Sequence, residues 1–178
     1  EICYIFLGET KLMAEVIKVN GKNASIQVYE STRGVKEGCK VEFEGHMLEV
    51  ILGPGLLSSN YDGLQNNLAT MEGVFLKRGE YTSPIDMDKE WEFTPMAKEG
   101  DVVVAADWLG EVKEGWLPHK IMVPFSFNGS YKVKSVAKAG NYKVTDTVAV
   151  LTDANGQEHN VTMIQKWPVK VAIGGYKE

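Results

Sequence analysis

Apolar and polar residues alternate with a period of two along most of this chain, which is the mark of strands with one buried face. Ile2 to Leu7 is a short apolar run. Ala14 to Val19 is rich in β-branched residues and ends at Asn20-Gly21-Lys22-Asn23. Ala24 to Tyr29 then alternates, with Ala24, Ile26 and Val28 on one face. Two such runs around a glycine-containing turn predict a hairpin. A turn-rich stretch, Ser31 to Gly38, precedes two further short runs at Val41–Phe43 and Met47–Leu52. Short strands at this spacing predict a small antiparallel barrel.

The texture changes at Gly53-Pro54-Gly55, a strong punctuation of the chain. Beyond it Leu57, Tyr61, Leu64 and Leu68 recur at three- and four-residue intervals, the spacing of a helix face. A helix over Leu56–Met71 is therefore expected, with Ser58 or Ser59 as its cap. From Phe75 to Ile164 the pattern returns to strands: Lys89–Phe93, Val102–Val104, Leu109–Val112, Lys120–Val123, Tyr131–Val136, Tyr142–Thr145, Thr147–Leu151 and His159–Ile164. Lys98-Glu99-Gly100-Asp101 is echoed by Lys138-Ala139-Gly140-Asn141, and Asp107-Trp108-Leu109 by Asp146-Thr147-Val148. A glycine turn followed by two short strands, twice over, implies two similar half-units facing each other as a flattened sandwich.

Of the 178 residues 44% are hydrophobic and the net charge is −5. A chain of this size buries a core without staples. Its acidic balance argues against a nucleic-acid-binding surface, which needs clustered Lys and Arg. Cys3 and Cys39 are the only cysteines, too few and too far apart for a disulfide framework. They are expected as small hydrophobes in a reducing compartment. The chain opens on Glu1 rather than Met, so its natural start is expected to be missing or processed away. The opening apolar run is far too short to span a bilayer and lacks the flanks of a signal peptide. Any membrane role is expected to pass through partners.

The chemistry-bearing residues are dispersed. A phosphate-cradling loop needs G-x-x-x-x-G-K-[ST], and no segment fits; Gly21-Lys22 is followed by Asn23 within a hairpin turn. The chain by itself is expected not to hydrolyse nucleotide. His46, His119 and His159 stand apart, and Cys39 and His46 match no common zinc spacing, so no metal site is expected. No G-x-S-x-G occurs, and Ser58, Ser59 and Ser126 sit in cap or loop contexts. Asp86 and Asp88 could serve acid–base work, but acidic pairs on polar turns are generally solvated. Trp91, Trp108, Trp116 and Trp167 are scattered, and are expected to fill core or interface rather than a ligand cage. No catalytic or cofactor-binding residue is assigned.

Four stretches together resemble one family. ASIQVYESTRGVKEGCKV, EVILGPGLLSSNYDGLQNNL, WEFTPMAKEGDVVVAADWLGEV and VTMIQKWPVK are similar, in order, to the barrel segment, the G-P-G-L-L…Y-D-G-I-Q-R-P-L segment, the opening of the "bulge" insertion and the M-x-Q-x-W-P-V-R return of the A subunit of V-type and archaeal-type ATPases, particularly its bacterial form. Asn66-Asn67 stands where Arg-Pro is usual, and Lys170 where Arg is usual. The resemblance implies a mostly β fold divided into four parts. Residues 1–54 would form a partial N-terminal β-barrel without its opening strands. Residues 55–72 would be a short helical first piece of the nucleotide-binding domain. Residues 73–164 would be a β-rich bulge domain, similar to a barrel-sandwich or carrier fold. Residues 165–178 would return into the nucleotide domain. Leu56, Leu57, Tyr61 and Leu64 would then lack part of their normal cover.

The phosphate loop and catalytic residues of the family would lie beyond Glu178, with ATP and Mg belonging to the full-length subunit. That subunit would couple ATP hydrolysis or synthesis to proton or sodium transport. Its partners would be B subunits and other A subunits in a ring, held by barrel contacts such as the strand edges of Ala14–Tyr29, and peripheral stalks met by the bulge. No nucleic acid is implied. The complex would lie in the cytoplasm, peripheral on the inner face of the bacterial plasma membrane. A second resemblance runs from Glu99 to Glu114: the turn and later Asp-x-Leu of EGDVVVAADWLGEVKE are similar to biotinyl and lipoyl carrier domains, with Lys120 as the acceptor.

Overall fold

The computed structural model describes residues 1–70 and 78–174. Within them the chain forms fourteen strands in four sheets, and no helix. The first sheet is the expected barrel segment. Strands β1 (Ile2–Leu7), β2 (Thr10–Asn20), β3 (Asn23–Val28) and β4 (Val41–Phe43) lie in the order β3-β2-β1-β4, with β1 antiparallel to both of its neighbours. Gly21, at φ +59°, lets the β2–β3 hairpin turn where the sequence predicts. One face buries Cys3, Ile5, Leu12 and Ala14, with Val16, Ile26, Cys39 and Val41 packed partly over them. Both cysteines thus serve as small apolar side chains and are free thiols. A bulge between Val16 and Lys18 in β2 leaves Ile17 and Val19 outward, 61% and 67% exposed.

The run at 47–52, grouped with the barrel by sequence, gives β5 (Glu49–Leu52), whose partner is the last strand, β14 (Gln165–Pro168). The two ends of the segment from Gly53 to Ile164 are thus brought together in a neck of two antiparallel strands.

The helix expected over Leu56–Met71 is not there. Residues 56–70 run as successive turns closed by an isolated Tyr61–Asn67 bridge, and residue 71 lies outside the described residues. Local polar side chains outcompete the helix for the backbone. Asp62 Oδ1 accepts the Leu64 and Asn66 N–H groups at 2.9 and 2.7 Å, and Oδ2 accepts the Asn66 amide at 2.8 Å, the Asx-type competition that disfavours helices. Ser58 and Gln65 have φ of +64° and +63°, which no right-handed helix admits. Gln65 also turns its side-chain amide along β5, with Ile51 N–H donating to Oε1 (2.8 Å) and Nε2 donating to Ile51 C=O (2.7 Å). The three- and four-residue spacing of the leucines was coincidence of turn geometry.

The remaining strands form the expected sandwich. β6 (Glu90–Pro95), β8 (Trp108–Glu114), β9 (Leu117–Met122) and β11 (Gly140–Lys143) make one sheet, ordered β11-β6-β8-β9. β7 (Val102–Val103), β10 (Tyr131–Val136), β12 (Ala149–Thr152) and β13 (Glu158–Val161) make the other, ordered β13-β12-β10-β7. The echoed segments occupy matching places. Asp107 Oδ2 accepts the Val104 N–H and Asp146 Oδ2 the Lys143 N–H, each at 2.8 Å. Each half also gives its glycine-turn strand to the other: β7 pairs with β10, and β11 with β6. Two core clusters result. Trp91, Phe93, Val112, Ile121, Val144 and Val148 belong to one; Val103, Leu109, Val133, Leu151 and Val161 belong to the other, and Val136 touches both. Gly110 has no room for a side chain, since a Cβ there would lie 2.3 Å from the Phe93 ring.

Candidate functional site at the junction of barrel and sandwich

Between β8 and β9 the hairpin turns at Gly115 and Trp116. Strand alternation puts Val112 inward and, two residues on, Glu114. Glu114 is only 7% exposed and is the one buried charged residue among those described. Burying a carboxylate is costly unless donors surround it. Here Oε1 accepts the backbone N–H groups of Gly55 (2.7 Å) and Leu57 (3.1 Å), while Oε2 lies 2.7 Å from Nδ1 of His119 on β9. Gly55 reaches this geometry at φ +106°, a conformation natural only to glycine. The sandwich is thereby tied to the turn that carries the chain out of β5.

A second junction holds the barrel to the segment 78–85. Glu30 Oε2 accepts the Gly79 N–H at 2.6 Å and its Oε1 accepts the Tyr81 hydroxyl proton; that hydroxyl in turn accepts the Met13 N–H at 2.8 Å. Burial, then the bond to Glu30, raises the Tyr81 pKa well above the ordinary phenol value. Tyr29 donates to Glu15 at 2.9 Å, and burial followed by that bond pushes it up to about 12. Glu15 also takes Lys170 Nζ at 2.6 Å, which is the main cause of its lowered pKa.

The histidines each answer to a different neighbour. His46 Nδ1 lies 2.8 Å from Met47 C=O, His119 sits on Glu114, and His159 Nε2 is 3.4 Å from Asp153. Asp86 and Asp88 are turn and surface groups: Asp86 accepts the Asp88 N–H, and Asp88 pairs with Lys143 at 2.7 Å. The tryptophans divide. Trp91 is core, Trp167 donates to Val171 C=O at 2.8 Å, Trp108 is half-exposed and Trp116, on the hairpin tip, is 90% exposed. Ser58 stands in a left-handed turn rather than at a helix cap.

Lys120 does not sit at a hairpin tip, as a carrier acceptor must. It lies within β9, ion-paired to Glu111 and 4.8 Å over the Trp108 ring. The two tips where a carrier domain would display its lysine bear Gly115-Trp116 and Asp153–Gly156. The carrier reading of Lys120 therefore fails on placement. Beside Trp108 runs a groove of about 750 Å³ walled by Met96, Val102, Met122 and Phe125, with Asp101 and Asp107 also lining it.

An open barrel segment joined to a pseudo-symmetric sandwich matches two family models. The ATP synthase alpha/beta family beta-barrel domain covers residues 1–45, and the ATP synthase alpha/beta subunit barrel-sandwich domain covers 82–170. The latter takes in half of the chain, and the chain belongs to the ATP synthase alpha/beta family. Within that family it is similar over its whole length to V-type ATP synthase alpha chains of bacteria. It is 49% identical to that of Treponema denticola and 45% to that of Borreliella burgdorferi strain B31, with 100% of this chain aligned in both. It is 47% identical to that of Protochlamydia amoebophila, with 97% aligned. The chain spans 30–32% of the length of these relatives.

Proposed function

We propose that this chain is the portion of a rotary V-type ATP synthase alpha chain that supplies contacts between subunits rather than nucleotide chemistry. On this reading residues 1–54 are the barrel portion, 55–72 the first piece of the nucleotide-binding domain, 73–164 the bulge and 165–178 the return. The complete subunit binds ATP and Mg and couples ATP hydrolysis or synthesis to proton or sodium transport. It works in a complex on the inner face of the plasma membrane. Its barrel contacts B subunits and other A subunits in a ring, and its bulge contacts a peripheral stalk.

The observation that carries this reading is the open barrel sheet. A closed barrel has no edges, whereas this sheet ends at β3 on one side and β4 on the other, with Ile17, Val19 and Phe43 exposed by more than half. Such surface on a sheet with free edges favours docking against another β surface. Size-exclusion chromatography with the B subunit of a bacterial V-type ATP synthase tests it. Co-elution is expected, weakened by Ile17→Lys and Val19→Lys on the outward face of β2. A titration with MgATP followed by tryptophan fluorescence is expected to stay flat. Separate elution together with saturable micromolar nucleotide binding is the result that sinks the proposal.

A further inference from the structure

The turn after β5 has the geometry of an anion receptor. Pro54 is fully buried and brings no N–H, so the next donor along the turn is Gly55. The positive φ of Gly55 aims its N–H and that of Leu57 at one point, occupied by Glu114 Oε1. Two backbone N–H groups two residues apart converging on an oxygen form a nest, which binds anions through fixed partial charges. The anion here comes from the other side of the junction, on hairpin β8–β9, and its second oxygen is held by His119. Nothing else ties that hairpin tip to the turn in the hydrogen-bond pattern of the described residues, since Gly115 and Trp116 make no bond to residues 53–57.

We propose that the Gly55–Leu57 nest is a carboxylate-binding site filled from within by Glu114, which sets the seat of the sandwich on its neck. Its occupant is a carboxylate rather than a larger anion, because the site offers two converging N–H groups and one imidazole to just two oxygens. This inference is independent of what the complete subunit does, and its test does not involve nucleotide or partner subunits.

The test is residue-resolved amide exchange by NMR on the 178-residue chain, with sodium formate as the probe. In Glu114→Ala the Gly55 and Leu57 amides are expected to exchange about tenfold faster or more, the scale of a lost charge-assisted hydrogen bond. The amides of Val112, Val133 and Leu151 should keep their protection. Formate should then shift the Gly55 and Leu57 resonances saturably and restore their protection, while sodium chloride at equal ionic strength does neither. Glu114→Gln keeps the shape and one acceptor, and should fall between wild type and Ala; it carries the test should Glu114→Ala not fold. Unchanged exchange at Gly55 and Leu57 in either variant, or identical responses to formate and chloride in Glu114→Ala, overturns the proposal. So does loss of protection at these two amides only in step with the core.

Discussion

The barrel sheet and the sandwich are built from strands of similar length, yet they keep their cores in different ways. The sandwich closes two sheets over each other, and its interior is supplied from both sides by Phe93, Leu109, Val112, Val133 and Leu151, all at or near zero exposure. The barrel sheet has one core face with four fully buried residues, covered in part by Val35 and Cys39 of the loop before β4, while Tyr81 of the strap at 78–85 packs on Tyr4, on the opposite face. Sheet-on-sheet packing gives each side chain apolar neighbours all round. A one-faced sheet relies on what is laid across it, so its stability is tied to polar junctions such as Glu30 with Tyr81. The difference teaches that one chain can hold a module whose core is covered by its own two sheets beside one whose core depends on what loops lay across it.

Substitutions can break that comparison. The largest effect is expected from Phe93→Ala, at about 3–5 kcal/mol for a fully buried ring, read by urea denaturation as unfolding of both sandwich halves together. Equal and separate unfolding of β6-β8-β9 and β10-β12-β13 would contradict the strand exchange. Leu12→Ala in the barrel should cost about 2–4 kcal/mol. Amide exchange should show that loss confined to β1–β4, with the sandwich unmoved; spread into the sandwich would mean that the two cores are one. Gly110→Ala drives a Cβ into the Phe93 ring and should cost about 1–3 kcal/mol through overpacking.

Alkaline pH should touch the barrel first. Tyr29 and Tyr81 are both raised above the ordinary phenol value of 10.0 by burial and by carboxylate partners. The unfolded chain releases these protons near 10 and the folded chain later, so the folded state binds more protons above that point. Stability from these two groups is thus whole below pH 10 and lost as pH rises through the folded value, about 12 for Tyr29. Tyr81→Phe should flatten the decline of barrel protection over that window, measured by thermal melts at stepped pH. The smallest effect is expected from Lys120→Met, about 0–1 kcal/mol for a partly exposed ion pair with Glu111. A loss of several kcal/mol there would show that the pair organises the β8–β9 edge.

Most strands were legible because alternation survives in them: Trp91 and Phe93 of β6 are buried while Glu90, Glu92 and Thr94 face out. The echo of Lys98–Asp101 in Lys138–Asn141 also foretold the two half-units, though not the exchange of β7 and β11, which depends on contacts far apart in sequence. The segment 56–70 was illegible for a local reason. Leucine spacing carries no information about Asp62 and Gln65 side chains that take over the backbone's hydrogen bonds. The burial of Glu114 is not legible from its residue type, since a charged residue beside a hairpin turn is generally solvated. The available signal was its register, two residues on from Val112 and thus on the inward face, immediately before Gly115.

The two-stranded neck of β5 and β14 is flanked by side chains that bond to its backbone. Four residue pairs, Leu52–Gln165 through Glu49–Pro168, join the strands, and on the far side of β5 the Gln65 amide clasps both polar groups of Ile51. On the near side, Gln165 Oε1 takes the Phe125 N–H at 2.9 Å. Pulled lengthwise, such a neck carries load in the covalent backbone of two strands at once, leaving the rungs slack. Twisted, it strains the rungs and both glutamine clasps together. Lengthwise pull thus falls on the chain itself, whereas rotation of the sandwich about its neck is opposed by the rungs and the two glutamine bonds.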